Sequence, residues 1–241
     1  MSTLFAAWFL ALILQTGPET PQQVLDRAIK AVGGEQMLRK LANSQYRSEV
    51  TAFVAGQAQP GGQEKTLIKL PDCIKVEITD RKQAGTFALH GSEGWVQMDG
   101  QTEKMRPHAV ESMQEDLHCI KLQYLVGAKD PRYQLKMLPP KRVEGVLSDG
   151  ILVSGEGVPD VSLYFDKRSG LLVKSEMRLR DPMLGHIVFR EVFLKDYEDV
   201  QGLKYPMHIV IYNDYSRYRE VKMKDVKFLE NIRDSEFQSP G

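Results

Sequence analysis

The sequence predicts a mainly β protein with helices (α+β), built as a long antiparallel meander in two halves with one helix inserted between them. Three observations carry this. Across residues 161–212 apolar side chains alternate strand after strand, with breaks at 166–170 and 199–202. Residues 44–105 show the same period of two. Between these stretches, residues 107–126 change to a period of 3.6, with Val110, Met113, Leu117, Ile120 and Tyr124 on one stripe. A sheet with an apolar face must bury it, and an inserted helix is a natural cover.

The elements follow in chain order. Thr20, Pro21 and Gln23 supply an N-cap, a first-turn proline and the glutamine of a capping box. The helix they open carries Val24, Leu25, Ala28, Ile29 and Val32 on one face and stops at Gly33-Gly34. Residues 35–41 read as a further short helical turn. Strands follow around Tyr46 to Val54, Thr66 to Leu70, Ile74 to Ile78, Phe87 to Leu89 and Trp95 to Met98, separated by turns rich in Gly, Pro and Asp. After the helix come strands at 132–137, around Val143, at 151–154 and at 161–165. In 170–180, Leu171, Val173, Met177 and Leu179 oppose Lys174, Glu176, Arg178 and Arg180, so one side of that strand is wet. Residues 187–194 are apolar on both alternations, the mark of a central strand covered on both faces. Tyr205, Met207, Ile209 and Ile211 form the next strand. In the last, Val221 and Met223 differ in parity from Val226 and Phe228, which predicts a bulge near Lys224.

With 241 residues the chain suits one large β domain, expected over 18–232, with a flexible tail over 233–241. Thirty-two basic residues balance 32 acidic ones, so no net field favours nucleic acid. Residues 4–14 are uncharged and apolar and lead into Gln15, Thr16, Gly17 and Pro18, matching the core of a secretory signal over 1–17. That run is shorter than the roughly 20 residues needed to span a bilayer. Export is therefore expected, with an uncleaved N-terminal anchor in the inner membrane as the alternative. Cys73 and Cys119 would pair only if two outward-facing sides met, which argues against a disulfide even in an oxidising compartment.

Motifs for chemistry are sparse. No Gly-x-Ser-x-Gly turn, His-Glu-x-x-His helix or phosphate-binding glycine loop occurs. Glu115 and His118 have the i, i+3 spacing of a carboxylate-bridged metal site, but the second such pair is missing and a solvated helix face is the better reading. Neither a metal nor a cofactor is expected. Trp95, Met113, Phe165, Met177, Phe189 and Met207 suit a packed core and an adaptable pocket equally well.

The order helix, meander, inserted helix, second meander, together with the segments LPDCIKVE (70–77), HGSEGW (90–95), FDKRSGLLV (165–173) and YEDVQGLKYP (197–206), resembles the LolA/LolB-like superfamily of outer-membrane lipoprotein-sorting proteins. The resemblance implies an open antiparallel half-barrel, covered by the N-terminal helix and by the inserted helix acting as a lid. It also implies a periplasmic, non-enzymatic protein holding a lipid or lipoprotein acyl chain, with transient membrane contact and an envelope protein partner as further expectations. The inward positions expected to line the cavity are Val50, Ile68, Val76, Ile78, Leu89, Trp95, Met113, Leu117, Leu163, Phe165, Met177, Leu179, Phe189, Met207 and Ile209. One departure stands out: LolA carriers have an arginine before the proline matching Pro71, where it holds the lid closed, and this chain has Leu70. The alternative reading is an envelope sensor or structural domain that works through protein contacts, its concave face filled by its own side chains.

Overall fold

The computed structural model describes residues 19–59, 61–79, 84–182 and 185–240. The expected signal at 1–17 lies outside them. Helix α1 (Pro21–Val32) begins as its sequence dictates: the Thr20 hydroxyl accepts from the Gln23 amide, and the Gln23 side chain accepts from the Thr20 amide. It ends at Gly33, whose φ of 129° and 2.8 Å approach of a would-be Cβ to the Gly202 carbonyl oxygen admit only glycine. A short helix α2 (Glu35–Leu38) and a 3-10 turn (Arg39–Ala42) lead into the sheet.

The first half comprises β1 (Asn43–Val54), β2 (Gln57–Ala58), β3 (Gly62–Lys69), β4 (Cys73–Thr79), β5 (Ala84–His90), β6 (Glu93–Met98) and β7 (Gln101–Lys104). Helix α3 (Pro107–Gln123) follows. The second half comprises β8 (Gln134–Val143), β9 (Val146–Ser154), β10 (Val161–Asp166), β11 (Leu172–Arg180), β12 (Ile187–Val200), β13 (Leu203–Asn213) and β14 (Ser216–Phe228). A 3-10 turn at Asp234–Glu236 closes the described chain.

All ladders are antiparallel, in the order β7-β6-β5-β4-β3-β1-β14-β13-β12-β11-β10-β9-β8, with β2 paired to β1 alone. The first and last long strands therefore meet in the middle of one open sheet, and α3 connects its two edges. Both edges are blunted. Strand β7 is only four exposed residues, and β8 carries Pro139-Pro140 where its register with β9 slips.

The parity change in β14 is resolved by the expected bulge. Arg47 faces Lys224 while Gln45 faces Lys227, and Asp225 takes a positive φ of 45°. Phe228 thereby returns to the core face that Val221 and Met223 occupy.

Apolar packing divides into three clusters. The largest joins α1, Leu38, Leu41 and the C-terminal end of α3 to the concave face of β9–β14. A smaller one sets Leu117 of α3 on Ile68, Ile74 and Leu89, with Val110 and Met113 beside them. The third lies on the opposite, convex face, where Ile232 and Phe237 cover Cys73. The tail expected to be flexible from Arg233 is thus packed, because Phe237 is fully buried and Lys69 holds Asp234 at 2.5 Å.

Candidate functional site

The concave face is set by strand register. Tyr46, Thr66, Val76, Phe87 and Val96 stand side by side across β1 and β3–β6, and Ser44, Ile68, Ile74, Leu89 and Gly94 form the next row. Gly94 is small for a reason: a Cβ there would lie 3.0 Å from Met105 Sδ and 3.1 Å from Val110 Cγ2, where the chain enters α3.

Of the expected lining residues, Val50, Ile68, Leu89, Leu117, Leu163, Phe165, Met177 and Leu179 lie buried on this face or on the helix above it. Val76, Met113, Met207 and Ile209 are half-buried against the same clusters. Ile78, opposite Glu64, is half-buried on the same face. Two expectations are corrected. Trp95 alternates with the inward Gly94 and Val96, so it faces outward, where its indole N–H donates to the Phe237 carbonyl oxygen at 2.8 Å. Phe189 pairs with Arg178 on the outer face of β11–β12 and packs on Tyr215, with centroids 5.4 Å apart. Phe193, further along the outer side of β12, is sheltered by neighbouring strands, packing on Tyr212 with centroids 5.6 Å apart and under the Lys174 ammonium.

Helix α3 differs along its length. Its C-terminal end is embedded: Cys119 and Leu122 are buried in the main cluster, and just beyond the helix the Tyr124 and Tyr205 hydroxyls meet at 2.5 Å. Cys119, expected on the outer side of the helix, is buried because α3 lies in the trough and touches both half-sheets. The N-terminal two thirds rest on the small cluster over β3–β5 and on polar contacts at the rim. Beyond Met177, β10 no longer pairs with β11, and α3 takes over that edge. The Ser112 hydroxyl donates to the Arg180 carbonyl oxygen at 2.8 Å, and the Arg180 amide donates to Glu115 at 2.7 Å. Asp116 accepts from Arg190 at 2.6 Å, and Gln114 donates to the Gly91 carbonyl oxygen at 3.0 Å. Glu115 and His118 point to different partners, His118 Nε2 lying 3.2 Å from the Pro159 carbonyl oxygen.

Sequence reading missed the charged residues on this face. Arg190 faces inward between Val188 and Val192, and Glu64 pairs with Arg219. Their signal was present in alternation: Glu64 shares parity with Thr66 and Ile68, and Arg219 with Val221.

Two concavities stand out. A crevice of about 20 Å³ lies between α1, the end of α3 and β11–β13, lined by Val32, Leu125, Leu172 and Tyr205 among others. This is room for about one water and far too little for an acyl chain. A cleft of about 260 Å³ lies on the convex face beneath the tail, lined by Leu67, Lys75, Glu77, Ile232 and others. Under α3, Leu117 packs on Ile68, Ile74 and Leu89.

Several groups without a charged partner are held in neutral forms. Burial pushes the Tyr124 and Tyr205 hydroxyls and the Cys119 thiol up, and the Cys73 thiol up to about 11, while it pushes His118 down. Such an interior suits binding by shape and apolar contact.

The geometry has counterparts of known structure. A LolA superfamily protein from Nitrosomonas europaea superposes with a TM-score of 0.63 at 15% identity, covering 92% of this chain and 99% of that one. A DUF1329 family protein from Desulfovibrio piger gives 0.61 at 11%, covering 90% and 96%. The chain shares their fold. A Vibrio parahaemolyticus domain assigned to outer membrane lipoprotein sorting gives 0.56 at 14%, covering 90% and 97%. No family model matches the chain, and no curated protein matches its sequence. At these identities it is the LolA-type half-barrel that is shared. In this half-barrel Leu70 packs against both concave clusters, and the Asp116–Arg190 pair ties α3 to β12. Among the described residues no helix is long and apolar enough to cross a membrane.

Proposed function

We propose that the protein is a non-enzymatic, exported binding protein that takes an acyl chain of a lipid or lipoprotein onto the concave face of its half-barrel, α3 serving as the lid. The division of α3 supports this reading. Its C-terminal end is anchored in the main core, whereas its N-terminal part is held by a four-residue buried cluster and by side-chain bonds at the rim. Water can replace rim bonds at small net cost, since a typical one contributes only about 1 kcal/mol. Lifting this part would uncover Ile68, Ile74 and Leu89, and an acyl chain would restore their burial at roughly 0.8 kcal/mol per CH₂.

Native mass spectrometry of protein isolated from a cell envelope tests this. A co-purifying lipid is expected, and Leu117→Asp should lose it while circular dichroism shows the fold intact. Protein that is empty in every preparation and takes up no lipid overturns the reading. The alternative, an envelope domain acting through protein contacts, is favoured by one observation: Leu117 of α3 already packs on Ile68, Ile74 and Leu89, where an acyl chain would lie.

A further inference from the structure

We propose that Arg190 and Arg219, near the ends of β12 and β14 where Ile187 and Tyr215 are exposed, form a headgroup site for an anionic lipid, and that Asp116 of α3 occupies the Arg190 half of it while the helix is docked. The inference rests on the acyl-binding reading and adds the charge of the cargo.

Both arginines face the concave side. Arg190 stands opposite Met177 and next to Asn213, and Arg219 stands opposite Ala52 and Ile211. Only β13 separates their strands and their partners on it, Asn213 and Ile211, are two residues apart, so their backbones lie about 12 Å apart by sheet geometry and two long side chains can converge on one phosphodiester. A guanidinium is a costly occupant of an apolar face unless an anion meets it. Arg190 is 8% exposed, and its anion comes from the movable helix: Nη1 donates to Asp116 at 2.6 Å, while Nε donates to Asn213 at 3.0 Å. Arg219 is held by Glu64 of β3, yet its Nε–H is buried with no acceptor. Arg219 therefore has a donor that its carboxylate leaves unused.

Lifting the N-terminal part of α3 removes Asp116 from Arg190 in the same motion that uncovers the apolar face. A phosphodiester would then restore the lost charge balance while its chains enter below. The surrounding strand ends suit a bilayer as donor: Val54 and Tyr215 are 62% and 77% exposed, and Ile187 at the start of β12 is 51% exposed. Arginine fits this task because its planar fork matches a phosphate and keeps its charge at every relevant pH.

The test offers the full protein vesicles of dimyristoyl phosphatidylglycerol or of dimyristoyl phosphatidylcholine, re-isolates it, and weighs bound lipid by native mass spectrometry. Wild type should retain the anionic lipid about tenfold better, the scale of one charge-assisted contact. Arg190→Gln and Arg219→Gln should each bring that ratio toward one while still taking up phosphatidylcholine. Asp116→Asn should raise it. Thermal melts confirm folding, and Arg219→Gln, being partly exposed, guards against loss of fold in the Arg190 variant. Equal retention of the two lipids by wild type, or a preference surviving in both arginine variants, overturns the headgroup site and leaves acyl binding standing. Retention of neither lipid overturns acyl binding and the site with it. Arginine-dependent binding of glycerol 3-phosphate that no lipid displaces would assign the pair to a soluble phosphate and overturn the lipid headgroup.

Discussion

The Trp95 indole nitrogen donates to the Phe237 carbonyl oxygen at 2.8 Å, joining residues 142 positions apart on the convex face of the sheet. Around this bond the C-terminal strap covers Cys73, and the Phe237 side chain is fully buried there. Phe237→Ala should cost about 3–5 kcal/mol in urea unfolding, the usual loss for emptying a buried phenyl site. The same variant should unmask Cys73. Burial beneath the strap holds that thiol up at about 11, so in the native protein at pH 8 it should resist a disulfide reagent, and in the variant react as an exposed thiol does.

Tyr124 and Tyr205 share one hydroxyl contact inside the main core. Tyr124→Phe leaves the Tyr205 hydroxyl buried without its partner and should cost about 1–3 kcal/mol. Tyr124→Phe combined with Tyr205→Phe should recover part of that loss, because no polar group is then stranded. Chemical denaturation of the two single variants and the double variant closes the cycle.

Protection from hydrogen exchange should be graded along α3. Amides around Leu122, where the helix is embedded, should exchange only at the rate of global unfolding. Amides from Met113 to Asp116 should exchange through a cheaper local opening. Uniform protection along the helix would mean that it does not move as a lid.

The Glu176 carboxylate lies on the outer face among Lys141 at 2.5 Å, Lys174 at 2.8 Å and the Tyr164 hydroxyl at 2.9 Å. Burial alone would raise its pKa, but the two ammonium groups and the hydroxyl outweigh burial and hold it below the ordinary 4.5. A depressed folded-state pKa contributes stability that is present above 4.5 and is lost as the pH falls through the lower folded value. Urea midpoints measured downward from pH 5 should therefore decline, and Glu176→Gln should flatten that decline.

Much of the fold was legible because it is written in local chemistry. The Thr20–Gln23 capping box needs only four consecutive residues, and the bulge at Asp225 shows as a parity change between Met223 and Val226. The candidate site was legible in part. Leu163, Phe165, Met177 and Leu179 stand on strands whose opposite alternation is polar or half-buried, so alternation alone aims them inward. Phe189 lies on a strand that is apolar on both sides, and only its pairing with Arg178 shows which way it points. Arg190 went unnoticed in that run for the same reason.

By itself the sequence determined the helices, the two meanders, most strand faces and the insertion of α3 between them, since periods of 2 and 3.6 follow from backbone geometry. Tertiary structure decided what covers each face. Trp95 faces outward by register and is buried there because Phe237 arrives from the far end of the chain, and α3 lies on the concave face because β1 and β14 bring the two halves together beneath it. Burial is a property of segments distant in sequence, and alternation within one strand carries no information about which distant segment will cover it.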